Sequence, residues 1–209
     1  MKKLYSYLWL ILLITYSIVL MFVEIKTSQD FVRNFFADIQ GDVPFYAVNT
    51  TLTVFLLWAT SLMFQVNLAL SPIEKINASQ VNFYRSQACF FCYLGFDERF
   101  LIHEKIGYVL GINDALIILG LGIIELVFIA SWGNYQKWSN TTRSDLLRAA
   151  ICFSLMVVMD GAFPQDMVLR LSLEDLAKTW ANVFLFLFSW NIFSDRIAAF
   201  KRRLQNLNC

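Results

Sequence analysis

The 209-residue chain is short of histidine (one), proline (three) and charge (16% Asp, Glu, Lys and Arg). One histidine excludes bis-histidine haem ligation and any multi-histidine metal centre within one chain. Few prolines, eight glycines and no repeat exclude a low-complexity or linker-rich protein. No HExxH, Walker A or GxGxxG pattern occurs, and no Ser/His/Asp set stands at motif spacing. The chain therefore reads as a non-enzyme that needs no cofactor. A net charge of +1 supplies no global basic field, so direct nucleic-acid binding is not expected.

Apolar residues are abundant instead: 58% of the chain, including 20 Phe and 6 Trp, with a mean hydropathy of +0.56. Soluble domains carry about 45–50% apolar and about 25% charged residues. The excess calls for lipid as solvent, and the expected fold is all-α, a polytopic membrane helix bundle forming one domain over residues 1–209.

Leu4–Val23 is free of charge and follows Lys2-Lys3, which predicts an uncleaved signal anchor with a cytoplasmic N-terminus. Asp30–Gln40 places Phe31, Phe35 and Phe36 on one helical face, as in a helix lying in the membrane interface. Further spans are expected near Phe45–Leu70, from Gly107 or Ala115 to Trp132, and at Leu146–Phe163. Residues 71–105, with Lys75, Arg85, Arg99 and Lys105, read as a cytoplasmic connection.

A fifth hydrophobic segment, Thr179–Ser194, carries a polar stripe of Asp175, Lys178, Asn182, Ser189, Arg196 and Arg203, and a capping signature starts at Ser172. Leaving it out of the membrane puts only Lys26, Arg33, Lys137, Arg143 and Arg148 outside, five of the 17 basic residues. The positive-inside rule thus favours four spans, with the last segment flat or packed sideways and a basic C-terminal tail over 196–209.

Glu125 is the sharpest chemical signal, because it interrupts the apolar stretch Leu116–Ala130 where an ionised carboxylate is costly. Asp114 lies eleven residues earlier on the same helical stripe, and Asp160 comes from the next segment. The three are expected to form an intramembrane polar seam: a proton or cation path, or a helix–helix hydrogen bond. Gly107, Gly111 and Ala115 make a small-xxx-small pattern for helix packing, which points to a homo-oligomer. Cys89-Phe90-Phe91-Cys92 is a CxxC, but zinc would need two more ligands and only His103 is near, so no metal site is assigned. Arg196, Lys201, Arg202 and Arg203 suit anionic headgroups or a cytoplasmic partner.

The Met-Lys-Lys start, the run Leu-Tyr-Ser-Tyr-Leu-Trp-Leu-Ile-Leu-Leu, the interfacial loop, the segment Val-Asn-Thr-Thr-Leu-Thr-Val-Phe-Leu-Leu-Trp and the basic tail together resemble the KwaA family, the membrane subunits of bacterial Kiwa anti-phage defence systems. The resemblance implies a four-span, oligomeric inner-membrane sensor that detects membrane perturbation on infection. It also implies a cytoplasmic DNA-binding partner, KwaB-like, held on the inner face. The residues alone leave two other readings: a small ion or proton channel using the acidic seam, and a bacteriocin-immunity-like membrane protein. With four spans, cysteines introduced at positions 140 and 206 label from opposite faces of the membrane; with five, from the same face.

Overall fold

The computed structural model describes residues 2–29, 31–32, 48–71, 76–164 and 167–207. It is all-helical, with no strand among those residues. The helices are α1 (Lys2–Lys26), α2 (Val48–Ala69), α3 (Ala78–Phe100), α4 (Ile102–Leu110), α5 (Asp114–Trp132), α6 (Asn140–Ala162) and α7 (Arg170–Leu207). The expected interfacial helix falls mostly outside the described residues, as do Phe35 and Phe36. Phe31 lies within them and is 39% exposed.

Local sequence sets three of the helix starts. Asn77 caps α3 by accepting the Gln80 N–H at 2.9 Å, Asn113 caps α5 through the Ala115 N–H at 2.8 Å, and Ser139 caps α6 through Thr142. The start of α7 differs from the capping signature. Ser172 is already in its first turn, and the cap comes from across the bundle. Glu24 of α1 accepts the Leu169 N–H at 2.8 Å and the Ser172 hydroxyl. A carboxylate here meets the positive end of the helix dipole and fixes Leu169 at φ 67°, in the left-handed region.

The six long helices alternate in direction. Ser61 Oγ of α2 bonds the Ala88 carbonyl of α3, while Thr53 of α2 reaches Glu98, so these two run antiparallel. Asn49–Thr179 and Asn67–Arg196 make α2 and α7 parallel. Asp160–Arg170 and Asp145–Asn191 make α6 and α7 antiparallel, and Glu24–Ser172 with Ser17–Trp180 do the same for α1 and α7. Both ends of the described chain therefore lie at one end of the bundle. Phe64 fills that half, ringed by Phe83, Tyr84, Phe91 and Phe188, with Trp138 against Phe188 at 5.2 Å.

Burial is inverted relative to a water-soluble bundle. Thr53, Thr60, Asn67, Gln87 and Thr179 are wholly inside, whereas Phe55, Leu62, Ile123, Leu126, Ile151 and Val158 face out. Three of the described helices, α2, α5 and α7 as far as Arg202, are long and apolar enough to cross a membrane. The segment held out of the membrane by charge counting thus belongs to α7, and its polar stripe explains the difference. Asp175, Asn182, Ser189 and Arg196 are buried within the bundle, so a pattern that resembles a water-facing stripe is an interior one.

Within residues 71–105, expected as a connection, the described residues supply α3, whose Phe83, Phe90 and Phe91 belong to the core. Gly95 lets α3 approach Trp58 of α2, because a Cβ there would sit 2.2 Å from the indole nitrogen. Gly95→Ala is expected to destabilise the bundle by about 1–3 kcal/mol through overpacking. Thermal unfolding in detergent reads this, and Trp58→Ala in the same chain relieves the clash.

Candidate functional site

At the end of the bundle opposite the aromatic plug, charged groups from five helices meet inside it. Lys178 of α7 stands between Glu98 of α3, at 3.0 Å, and Asp175 one turn back, at 3.2 Å. Glu98 also accepts the Thr53 hydroxyl at 3.3 Å, and Asn49 and Thr179 bond at 2.7 Å beside it. Arg170 donates to the Met159 carbonyl at 3.2 Å and to the Asp160 carboxylate at 2.9 Å, and Glu174 lies 3.4 Å from its other nitrogen. Lys178 and Arg170 are each answered by two carboxylates, which repays part of the cost of desolvation.

Asp97, near the end of α3, accepts the His103 N–H at 2.8 Å and holds the His103 ring Nδ1 at 2.7 Å. The kink at Leu101, φ 53°, turns the chain from α3 into α4 and makes this clasp possible. Burial alone lowers the imidazole pKa. The hydrogen bond and charge of Asp97, with the charge of Glu98, outweigh it and hold His103 above its ordinary 6.5. Glu104 beside it is raised above 4.5, chiefly by burial.

Next to this network a cavity of about 300 Å³ opens between α3, α5, α6 and α7. Its walls are apolar: Phe90, Leu94, Ile118, Leu121, Phe153, Met156 and Leu185. Asp114, Glu125 and Asp160 all line it, so the structure brings the three seam residues to one space. They do different things there. Asp160 is paired with Arg170. Asp114 opens α5, its carboxylate taking the Ala115 N–H at 3.1 Å. Glu125 is buried in mid-helix, where Gln87 Nε2 donates to its Oε2 at 3.0 Å and its Oε1 has no hydrogen-bond partner.

The helix-packing expectation changes. Gly107 and Gly111 do not share a helix with Ala115, because Gly111 takes φ 66° as the left-handed cap of α4 and Asn113 restarts the chain as α5. A Cβ at Gly111 would meet nothing within 4 Å. Gly107 packs against the start of α5, where a Cβ would sit 3.0 Å from the Ile112 carbonyl oxygen, and Ala115 of α5 meets Gly161 of α6. A second approach, at Gly122 against Phe153, carried no local signal.

The basic tail also divides. Arg196 is buried, donates to the Asn67 carbonyl and stacks 5.0 Å over the Tyr84 ring, which removes it from any partner surface. Lys201 and Arg202 are exposed, and the side chain of Arg203 falls outside the described residues. Cys89 is exposed on α3 and Cys92 half-buried.

A family profile matches residues 7–192. The chain belongs to the family described as domain of unknown function DUF8692. No curated protein and no solved structure matches it. The DUF8692 match takes in every residue of the cavity and the charged network, and leaves out Lys2, Lys3 and Lys201–Arg203.

The clasp between Asp97 and His103 predicts a pH dependence. Because His103 binds its proton more tightly folded than unfolded, its contribution is complete below pH 6.5 and is lost as pH rises through the folded value above 6.5. Thermal unfolding in detergent is expected to weaken over that window, and His103→Gln to flatten the decline.

Proposed function

We propose that this DUF8692 protein is a multi-pass membrane subunit that works without covalent chemistry, as a sensor and scaffold, with α5 as its responsive element. One observation carries the reading: α5 is the most apolar helix yet buries only Ala115 and Glu125. Such a helix has most of its surface against its surroundings and little against its own bundle. It is held by the Gln87–Glu125 bond, by Phe90 against Phe128 at 6.0 Å, and by the seats at Gly122 and Ala115. A polar bond inside a membrane protein contributes about 0.6–2 kcal/mol. Bilayer thickness and packing act on exposed apolar area, so α5 is the part they move first.

Six crossings fit this architecture better than four. Each long helix has at least 19 residues, about 28 Å at 1.5 Å per residue, close to the hydrocarbon thickness. The less apolar α3 and α6 turn Cys89, Tyr93 and Phe96, and Leu147, Ile151, Leu155 and Val158, outward in mid-helix. Among the described residues, alternating crossings would place Lys2, Lys3, Arg85, Lys137, Arg143, Arg148, Arg196, Lys201, Arg202 and Arg203 on one side. Lys26, Arg99, Lys105, Arg170 and Lys178 would fall on the other. The first set is the larger, which makes that side cytoplasmic, with both ends of the chain on it.

The resemblance to KwaA supplies the rest of the proposal: a bacterial inner membrane, a homo-oligomer, and a soluble DNA-binding partner recruited during phage infection. The exposed Lys201 and Arg202 and the cytoplasmic turns suit that contact. A channel along the acidic seam is the second reading, favoured by the shared cavity of Asp114, Glu125 and Asp160. Under it Glu125→Gln alters ion flux in proteoliposomes.

Single cysteines at Asn140 and Asn206 are expected to label from the same, cytoplasmic face; labelling from opposite faces returns the count to four. A tagged pull-down from native membranes in mild detergent is expected to bring down a stoichiometric soluble protein. Recovery of a bare oligomer removes the scaffold reading.

A further inference from the structure

The cavity has more acid than its own cations answer. Asp97 is clasped by His103, Glu98 by Lys178, and Asp160 and Glu174 by Arg170. Glu104, Asp114 and Glu125 enter no ion pair among the described residues. Two of these, Glu104 and Asp114, also border a shallow depression on the protein surface lined by Gly107, Tyr108 and Asn113. The depression and the cavity share these two acids in their linings, and Glu125 stands farther along α5, eleven residues from Asp114 or about 16 Å of helix rise.

Glu125 is 9% exposed, and its Oε1 is buried without a partner. Gln87, which binds the other carboxylate oxygen, has its own Oε1 buried and equally unmatched. Two neighbouring side chains thus each leave an acceptor oxygen unanswered. A buried acceptor without a donor is costly, and a native structure leaves few of them. Around them the walls are hydrocarbon: Phe90, Ile118, Leu121 and Phe153.

We propose that this cavity binds an organic cation, a protonated amine on an apolar body, whose ammonium donates to Glu125 while its hydrocarbon lies between α5 and α6. The ammonium supplies a donor for the orphaned Glu125 oxygen. The unpaired acids of the lining favour a cation over an anion, and the apolar walls reward a hydrocarbon body over a hydrated ion. A calcium ion requires six to eight oxygen ligands, and no group of three acidic, Cys or His ligands gathers among the described residues. The inference rests on the cavity and not on the sensor reading, so it holds whether or not a soluble partner is recovered.

Binding of 1-aminoadamantane, 1-adamantanol and adamantane-1-carboxylate to the full chain in lipid nanodiscs, by calorimetry against empty nanodiscs, tests it. The three share a body that fits about 300 Å³ and differ in charge. Saturable binding of the amine, at least about tenfold tighter than the alcohol, with no binding of the carboxylate, is expected. Glu125→Gln is expected to remove that preference about tenfold or more, and Asp195→Asn, on an exposed acid away from the cavity, to leave it unchanged. Should Glu125→Gln fail to fold, Asp114→Asn in the lining is expected to weaken amine binding severalfold. Equal binding of amine and alcohol, full affinity in both Glu125→Gln and Asp114→Asn, or displacement of the amine by calcium overturns the proposal.

Discussion

Lys178, set between Glu98 and Asp175, is the contact on which the arrangement of the other helices depends. Where the outside of a protein is hydrocarbon, charged and polar groups gain nothing by turning outward and must find one another within. The Lys178 cluster does this for α2, α3 and α7 together, since Thr53 and Asn49 join it from α2. Glu24 and Arg170 extend the rule to α1 and α6. Removing one member leaves an uncompensated buried charge, which costs about 3–5 kcal/mol, more than most apolar contacts. The pairing accordingly fixes helix directions and register more than it adds net stability.

The two ends of the bundle solve different problems. One is a plug of aromatic rings around Phe64, with Arg196 over Tyr84 and the Asp145–Arg148 pair beside it. The other is an ionic knot with a cavity beside it. Between them α5 is the exception: apolar on almost every side, capped by its own Asn113, and joined to the rest through few side chains. Elsewhere the helices pack more closely and form a frame beside it. The orphaned oxygens of Glu125 and Gln87 lie at that seam, where the frame and the loosely held helix meet.

Several features were legible from residues alone. A carboxylate amid Leu116–Ala130 announces itself, because nothing in a soluble or lipid-facing helix accounts for it. Helical spacing brings Asp114 onto the same stripe, and the cavity joins both. Gly107, Gly111 and Ala115 misled, because spacing by four means a shared face only while the helix continues, and Gly111 ends one helix before Asn113 begins the next. The α7 stripe misled for a related reason. A row of Asp, Lys, Asn and Ser shows that polar surroundings exist on one side, without showing whether they are water or other side chains. Gly95 and Gly122 gave no local signal, since each is defined by the partner ring, Trp58 or Phe153, that it admits.

By itself the sequence determined the class of molecule. Composition, charge-free runs and caps are local properties, and they dictate helices with apolar faces that need a non-aqueous surround. Tertiary structure decided the helix directions, the burial of residues 78–100, the capping of α7 by Glu24, and which acids are paired. Those outcomes depend on contacts between different helices, some more than a hundred positions apart, such as Glu24 with Ser172 and Asn67 with Arg196. A polar side chain looks the same in sequence whether its partner is water or a distant charge, and only the folded chain supplies that partner.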